Sequence, residues 1–205
     1  MHLEVLVEER SAEEALRLLL PKIVGSGVSF EIHAFEGKRD LLAKLPSRLR
    51  GYARWIHQTE TRVVVLVDED RQDCRQLKGG LEGVAAAAGL TTKTVAGVGQ
   101  PFLVLNRVAV EELEAWFLGD CDAIVAAYPR VPSSLPSRQG FRDPDAVKGG
   151  TWEQLDRVLQ RAGYHRGGIA KIAAAKDIVP HMDPARNRST SFQHFCAGLR
   201  ALLSS

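Results

Sequence analysis

Four short apolar segments alternate with longer segments of helical spacing over roughly the first 120 residues. Residues 2–7, 28–35, 62–67 and 102–108 are rich in apolar and β-branched side chains, and we interpret them as strands. Residues 28–35 (VSFEIHAF) alternate apolar and polar positions, as a half-buried strand does. Residues 62–67 (RVVVLV) form an unbroken apolar run that is typical of a strand buried on both faces of a parallel sheet.

The segments between these strands have the pattern of helices. Ser11, followed by Glu14, predicts a capping box at the start of the first helix. Residues 38–57, 74–88 and 111–118 are the further predicted helices. Strands that alternate with helices are the mark of a doubly wound α/β domain with right-handed crossovers. The first half of the chain is therefore predicted to be α/β, with a mostly parallel central sheet flanked by helices.

The pattern changes after residue 127. Residues 128–150 are rich in Pro, Ser, Gly and Arg, which predicts a long exposed loop without a regular element. Residues 152–161, 168–176 and 191–203 show helical spacing, and no strand is predicted among them. We therefore divide the chain into an α/β core (1–127), a loop (128–150) and a C-terminal helical cap packed on the core (151–205).

Length, charge and cysteine spacing limit the classes of protein to which the chain can belong. The 205 residues are enough for one sizeable hydrophobic core. The chain has 27 Lys and Arg against 25 Asp and Glu, so its net charge of +2 does not by itself indicate binding to nucleic acid. Cys74, Cys121 and Cys196 share no CxxC spacing, which argues against a structural zinc site or a disulfide framework. No leader sequence and no long apolar stretch is visible, so we expect a soluble protein of the reducing cytoplasm with no membrane partner.

Acidic residues follow two of the predicted strands. Glu8 and Glu9 end the first strand, and Asp68 and Asp70 end the strongest one. Functional groups in open α/β sheets gather at the carboxyl ends of strands, so we expect these carboxylates to meet at one edge. Oxygen ligands suit Mg²⁺ or Mn²⁺ better than zinc or copper. A single acidic pair after a strand is more often a turn former or a helix N-cap than a ligand, so the prediction depends on their convergence.

Further residues are candidates for the same site. Glu114 stands between Leu113 and an apolar Ala-Trp-Phe run, where an unpaired charge would be unusual, so we add it to the metal ligands. Lys171 is a candidate catalytic and phosphate-binding residue, and Arg186 and Arg188 are candidate phosphate-binding residues. Solvated surface charge explains these three basic residues about equally well.

Several segments together resemble a known family. VEERSAEEALRLLLPKI resembles the Glu-containing opening element of Toprim domains, and VVVLVDED resembles their later strand with its DxD. FEGKRDLLAKLPSRLRGYARWI, ELEAWFLGD and NRSTSFQHFCAGL are similar to a Toprim-related family of unknown function, DUF4276. The resemblance covers nearly the whole chain. It implies a Toprim-like Rossmannoid fold, related to the nuclease domain of overcoming-lysogenization-defect proteins.

The resemblance also implies a function. Glu8, Asp68 and Asp70 match the metal-binding and catalytic acids, and Glu114 matches the acid before Ala-Trp. The implied activity is divalent-metal-dependent cleavage or joining of DNA or RNA, as a phage-defence effector with an ATPase partner protein. Glu9 stands where the Toprim pattern has Gly, and Ala12 where many nuclease relatives have a second acid, which favours one metal over two. The alternative is a non-catalytic metal- or nucleic-acid-binding subunit of an ATPase-containing complex.

Other enzyme classes fit the sequence less well. A haloacid-dehalogenase phosphatase would place its DxD on the first strand, with Thr or Val two residues after the second Asp. Here the residue two positions after Asp70 is Gln72. A glycosyltransferase also uses DxD, but no nucleotide-sugar pattern accompanies it. A topoisomerase needs a nucleophilic Tyr on a separate domain, which we do not find. The histidines, among them His33 in a strand, share no metal-ligand spacing, so we assign them packing or surface roles.

Overall fold

Four parallel strands form the centre of the molecule. In the computed structural model, which describes residues 1–70, 72–165, 167–168 and 170–204, they are β1 (His2–Val7), β2 (Ser29–Ala34), β3 (Thr61–Asp68) and β4 (Val104–Ala109). Their order across the sheet is β2-β1-β3-β4, and every neighbouring pair is parallel. The predicted α/β class is confirmed, and the sheet is wholly parallel where we expected it to be mostly so.

Helices flank this sheet and follow its strands in sequence. They are α1 (Arg10–Val24), α2 (Lys38–Ala53), α3 (Cys74–Ala87), α4 (Lys93–Ala96), α5 (Glu114–Gly119), α6 (Cys121–Ala127), α7 (Thr151–Arg161), α8 (Lys171–Ile178) and α9 (Thr190–Leu203). A 3-10 turn at Ile56–Gln58 follows α2, so the predicted helix 38–57 ends early. Among the described residues, no helix is long and apolar enough to cross a lipid bilayer.

The sheet separates two apolar cores. Leu3, Val5 and Val7 of β1 face one core, which also contains side chains of α1 and of the C-terminal helices. Leu6 faces the other core, which α2 and α3 cover. Strand β3 contributes to both cores, because alternate residues of a strand point to opposite faces. The expectation that this strand is buried on both faces is confirmed.

Two predicted helix starts are wrong. Helix α1 begins at Arg10 with Glu9 as its N-cap, so Ser11 lies inside the helix and forms no capping box with Glu14. The Ser11 hydroxyl instead donates to the Glu9 carboxylate at 2.6 Å. Helix α5 begins at Glu114, because Glu111 has a φ of +61°, which no α-helix accommodates.

Residues 128–150 contain more regular structure than the long exposed loop that the sequence predicted. They contain 3-10 turns at Leu135–Ser137, Gln139–Phe141 and Pro144–Ala146, and the side chains of Val131, Leu135 and Val147 are buried. Spaced apolar residues therefore anchor this Pro-rich segment to the core. Downstream, the predicted helix 168–176 corresponds to α8, although Ile169 lies outside the described residues.

Candidate metal centre at the carboxyl edge of the sheet

Glu8 and Asp68 are neighbours at the carboxyl ends of β1 and β3. The parallel register aligns Val7 with Leu66, so the residues that follow the two strands leave the sheet side by side. The backbone N–H of Asp68 donates to Oε1 of Glu8 at 2.8 Å. Glu8 is buried, and Asp68 is partly buried. The structure thus brings together the first and second of the predicted acids.

Asp70 belongs to the same edge but turns toward α2. It lies two residues beyond the end of β3, and its φ of +48° is in the left-handed region, so the alternation of a strand does not orient it. Its carboxylate lies 2.8 Å from the ammonium of Lys38, which also donates to the Glu69 carbonyl at 3.2 Å. Gly37, with a φ of +93°, donates its N–H to the Glu8 carbonyl at 2.8 Å and so places Lys38 at this edge.

Glu114 lies in the first turn of α5 with only 2% of its surface exposed. Its carboxylate is 3.4 Å from the ammonium of Lys171, the first residue of α8. The same ammonium lies 3.7 Å from Glu9 and 3.8 Å from Glu112. Lys171, predicted from sequence as a phosphate-binding residue, therefore lies among three carboxylates at this edge. We call Glu8, Asp68, Asp70 and Glu114, together with Lys171, the acidic edge.

Glu112 has a structural role beside the acidic edge. Its carboxylate accepts hydrogen bonds from the Thr151 hydroxyl at 2.8 Å and from the Trp152 N–H at 3.0 Å. These donors belong to the first turn of α7, where a carboxylate is favoured by the helix dipole. Glu112 therefore attaches the C-terminal helices to the edge that carries Glu114.

Burial and crowding make Glu8, Asp68 and Glu114 hard to ionise. Loss of hydration raises the pKa of Glu8 to about 7, against the opposing hydrogen bond from Asp68. Burial also raises the pKa of Glu114 to about 7, although the Lys171 ammonium opposes this shift. The pKa of Asp68 lies well above its usual value because of burial and of the negative charges of Glu114 and Glu8. Perturbed pKa values of this kind cluster at functional sites.

The donor set of the acidic edge fits a hard divalent cation. Every candidate ligand is a carboxylate oxygen, which suits Mg²⁺ or Mn²⁺, and a positive charge offsets both the loss of hydration and the repulsion that raise these pKa values. The carboxylates do not form a closed shell, however. In the part of the chain that the structure describes, one group of three ligating side chains has its ligand atoms all within 4.8 Å, and that group is Glu4, Glu31 and His33. At the acidic edge the carboxylates lie near one another, and Lys171 supplies part of the positive charge that balances them.

Arg186 and Arg188, the other predicted phosphate ligands, bind elsewhere. The Arg186 guanidinium makes two hydrogen bonds to the fully buried carboxylate of Asp120, at 2.8 and 3.0 Å. Arg188 donates to the Phe141 carbonyl at 3.2 Å. These contacts fasten the segment before α9 to α6 and to the 128–150 segment. The structure shows no contact of either arginine with the acidic edge among the described residues.

Two features of this region escaped the sequence analysis. Lys38 was treated only as a helix residue, and the signal that could have found it is Gly37 followed by a basic residue at a helix start. The second feature is the contact of His33 with Glu4, which lies on the face of the sheet. The alternating triplets His2-Leu3-Glu4 and Glu31-Ile32-His33 on two adjacent strands are a signal that could have found it.

Fold and site together define an α/β protein with an all-parallel four-stranded sheet and a carboxylate-rich carboxyl edge. The model of a family described as "Domain of unknown function (DUF4276)" matches residues 7–200. The chain therefore belongs to the DUF4276 family, as the sequence resemblance indicated. No curated protein and no solved structure matches the chain.

Proposed function

We propose that this protein carries out divalent-metal-dependent phosphodiester chemistry on nucleic acid, as a Toprim-like nuclease. The observation that carries the proposal is the pairing of Glu8 and Asp68 on adjacent strands, joined by the 2.8 Å hydrogen bond from the Asp68 N–H. Buried Glu114 adds a third carboxylate with a raised pKa. Burying several carboxylates close together costs free energy, and a bound cation would offset that cost.

The acidic residues divide into two roles. Glu8 and Asp68 would hold Mg²⁺ or Mn²⁺, with Asp70 and Glu114 as flanking ligands. The bound ion supplies a Lewis acid for the phosphate and lowers the pKa of a bound water. The Asp68 N–H orients the Glu8 carboxylate through Oε1, which leaves Oε2 for the ion. Glu114 is less exposed than Glu8, so it would approach the ion from the protein interior.

Two lysines provide positive charge for a substrate phosphate. Lys171 lies 3.4–3.8 Å from three carboxylates, and Lys38 lies 2.8 Å from Asp70. The carboxylates keep Lys171 charged, because they raise its pKa against the effect of burial. A phosphodiester at the acidic edge would meet ammonium groups from both sides. DNA and RNA share this chemistry, so we propose nucleic acid as the substrate class.

The sequence resemblance extends the proposal to a partner. The resemblance to Toprim nucleases implies a defence effector that works with an ATPase. This chain has no Walker A sequence, so ATP hydrolysis by a P-loop would need a separate protein. We propose such an ATPase partner as the activator of the nuclease.

Cleavage assays with a carboxylate-to-amide variant test the proposal. We expect the purified chain, with its ATPase partner where activation requires it, to cleave single- or double-stranded DNA or RNA with Mn²⁺ or Mg²⁺ and to lose this activity in chelator. Asp68→Asn should lower the rate by at least roughly 100-fold. The variant should fold, since an amide removes a charge that the folded state disfavours. Glu60→Gln, at an exposed position, is the matched control. Activity that survives in chelator or in Asp68→Asn would contradict the proposal.

The alternative is a non-catalytic subunit that binds metal or nucleic acid within an ATPase-containing complex. The position of Lys171 favours it, because an ammonium among Glu9, Glu112 and Glu114 takes up charge that a second ion would need. Calorimetric titration with Mn²⁺ distinguishes the two functions. Binding that Asp68→Asn abolishes, without cleavage of any nucleic acid in the presence of the partner, would support the subunit.

A further inference from the structure

We propose a second metal site, for a transition-metal cation of the zinc class, on the face of the sheet that α2 covers. Its ligands are Glu4 of β1 and Glu31 and His33 of β2, which we call the strand-face cluster. One carboxylate oxygen from each glutamate and one ring nitrogen of His33 all lie within 4.8 Å of one another. The site is separate from the acidic edge, and the inference does not rest on the proposed function.

Strand register brings the three ligands together. The parallel pairing of β1 with β2 aligns Glu4 with Glu31 and Leu6 with His33. Alternate residues of a strand share a face, so Glu4, Glu31 and His33 point to the same side of the sheet. Glu4 and Glu31 lie directly opposite each other, where like charges destabilise a strand pair. A cation between them turns this repulsion into attraction.

The geometry around Glu4 is close to that of a metal ligand. His33 Nε2 lies 2.5 Å from Glu4 Oε2, and the Tyr52 hydroxyl donates to the same oxygen at 3.1 Å. His2 Nε2 lies 3.5 Å from Oε1 of Glu4. Two ligand atoms on a tetrahedral ion with bonds of about 2.0–2.1 Å are roughly 3.3 Å apart, so small side-chain shifts suffice to admit the ion.

Residues outside the cluster fix the orientation of these side chains. Ser29 Oγ lies 2.9 Å from His2 Nδ1, which directs the other ring nitrogen toward Glu4. Partners of this kind commonly orient metal-binding histidines. On the other side, the Tyr52 hydroxyl holds the Glu4 carboxylate through its hydrogen bond to Oε2. His2 lies next to the cluster and is available as a further ligand after a small movement.

The donor chemistry selects the class of metal. One imidazole with two carboxylates is a mixed nitrogen and oxygen set, which suits Zn²⁺ and related ions such as Co²⁺ better than Mg²⁺. The ion pairs shown for Glu4 are with His2 and His33, whereas Asp70 and Glu114 of the acidic edge each pair with a lysine. The ion-pair partners of Glu4 are therefore histidines, which carry a positive charge only when they are protonated.

Titration of the chain without an affinity tag tests the site. After treatment with chelator and its removal, Zn²⁺ is titrated calorimetrically, and Co²⁺ is followed by its visible absorption. We expect one equivalent of Zn²⁺ to bind at the strand-face cluster, apart from any that the acidic edge takes up. His33→Ala and Glu31→Gln should each weaken binding at least about 100-fold. His57→Ala, at an exposed histidine outside the cluster, should bind as the unmodified chain does.

Two variants separate this site from the acidic edge and from a folding defect. Asp68→Asn should retain the equivalent of Zn²⁺ that His33→Ala removes, because Asp68 lies at the other site. Glu31 is exposed, so Glu31→Gln should keep the fold and its far-UV circular dichroism. The proposal is overturned if the unmodified chain binds no stoichiometric Zn²⁺, in which case Glu4 and His33 form only an ion pair. It is also overturned if His33→Ala and Glu31→Gln bind as tightly as His57→Ala.

Discussion

At the scale of single residues, Glu114 shows the free-energy cost of ionising a buried carboxylate at the acidic edge. It is 2% exposed, and Lys171 is the basic residue beside it, at 3.4 Å. Its pKa of about 7 lies well above the ordinary value of 4.5, because burial opposes ionisation more than the lysine favours it. Between these two pH values the folded state binds more protons than the unfolded state. The contribution of Glu114 to stability is therefore fully present below about pH 4.5 and is lost as the pH rises through 7.

We predict that Glu114→Gln reduces this pH dependence. Gln is neutral at every pH, so the free energy of unfolding should fall less between pH 5 and pH 8, by up to about 3 kcal/mol. Urea unfolding in chelator at both pH values measures the difference. Glu60→Gln is the control, since Glu60 is exposed. Equal pH dependence in Glu114→Gln and the unmodified chain would show that Glu114 ionises normally.

The N-terminus of α9 shows how a helix is attached at the scale of an element. Ser189 caps the helix by accepting from the Phe192 N–H at 3.1 Å. Asp145 accepts from the Ser189 hydroxyl at 2.7 Å and from the N–H and hydroxyl of Ser191 at 2.8 and 3.1 Å. Trp116 of α5 also donates to the Ser191 hydroxyl, at 3.0 Å. One carboxylate thus holds the 128–150 segment, α9 and, through Ser191, α5 together.

We predict that Asp145→Ala destabilises the protein by about 2–3 kcal/mol, because it removes three charge-assisted hydrogen bonds at a helix N-terminus. Chemical denaturation measures the loss, and limited proteolysis should cut the 128–150 segment faster. Asp143→Ala is the neighbouring control: Asp143 is exposed and accepts one hydrogen bond, from the Asp145 N–H, so its loss should cost less than about 1 kcal/mol. If both variants lose the same stability, the attachment through Asp145 is wrong.

At the scale of the whole molecule, residues from both ends of the chain pack into the same one of its two cores. Leu3 and Leu16 belong to the same buried cluster as Phe192, Phe195 and Leu199. The ring centroids of Phe192 and Phe195 lie 5.1 and 5.0 Å from that of Trp116. Polar contacts join the same parts, since the Lys22 ammonium at the end of α1 donates to three carbonyls after α8. The C-terminal helices therefore complete the core of the sheet.

We predict that the chain unfolds in one cooperative transition and that residues 1–150 do not fold alone. Removing residues 151–205 exposes Trp116 and its apolar neighbours, an energetic loss of several kcal/mol per large side chain. Coincident urea transitions by tryptophan fluorescence and far-UV circular dichroism would confirm the first part. A stable, monodisperse 1–150 fragment with a native-like spectrum would contradict the second.

The sequence by itself determined the strands, their alternation with helices and the acids that follow β1 and β3. These are local properties, because side-chain periodicity and turn chemistry depend on neighbours in the chain. From them the meeting of Glu8 with Asp68 could be predicted, since parallel strands end at one edge. Only the tertiary structure decided which residues from distant segments complete each site. Lys171 reaches Glu114, Asp70 turns to Lys38, and His33 meets Glu4, because helix packing and strand register fix those distances and no local pattern encodes them.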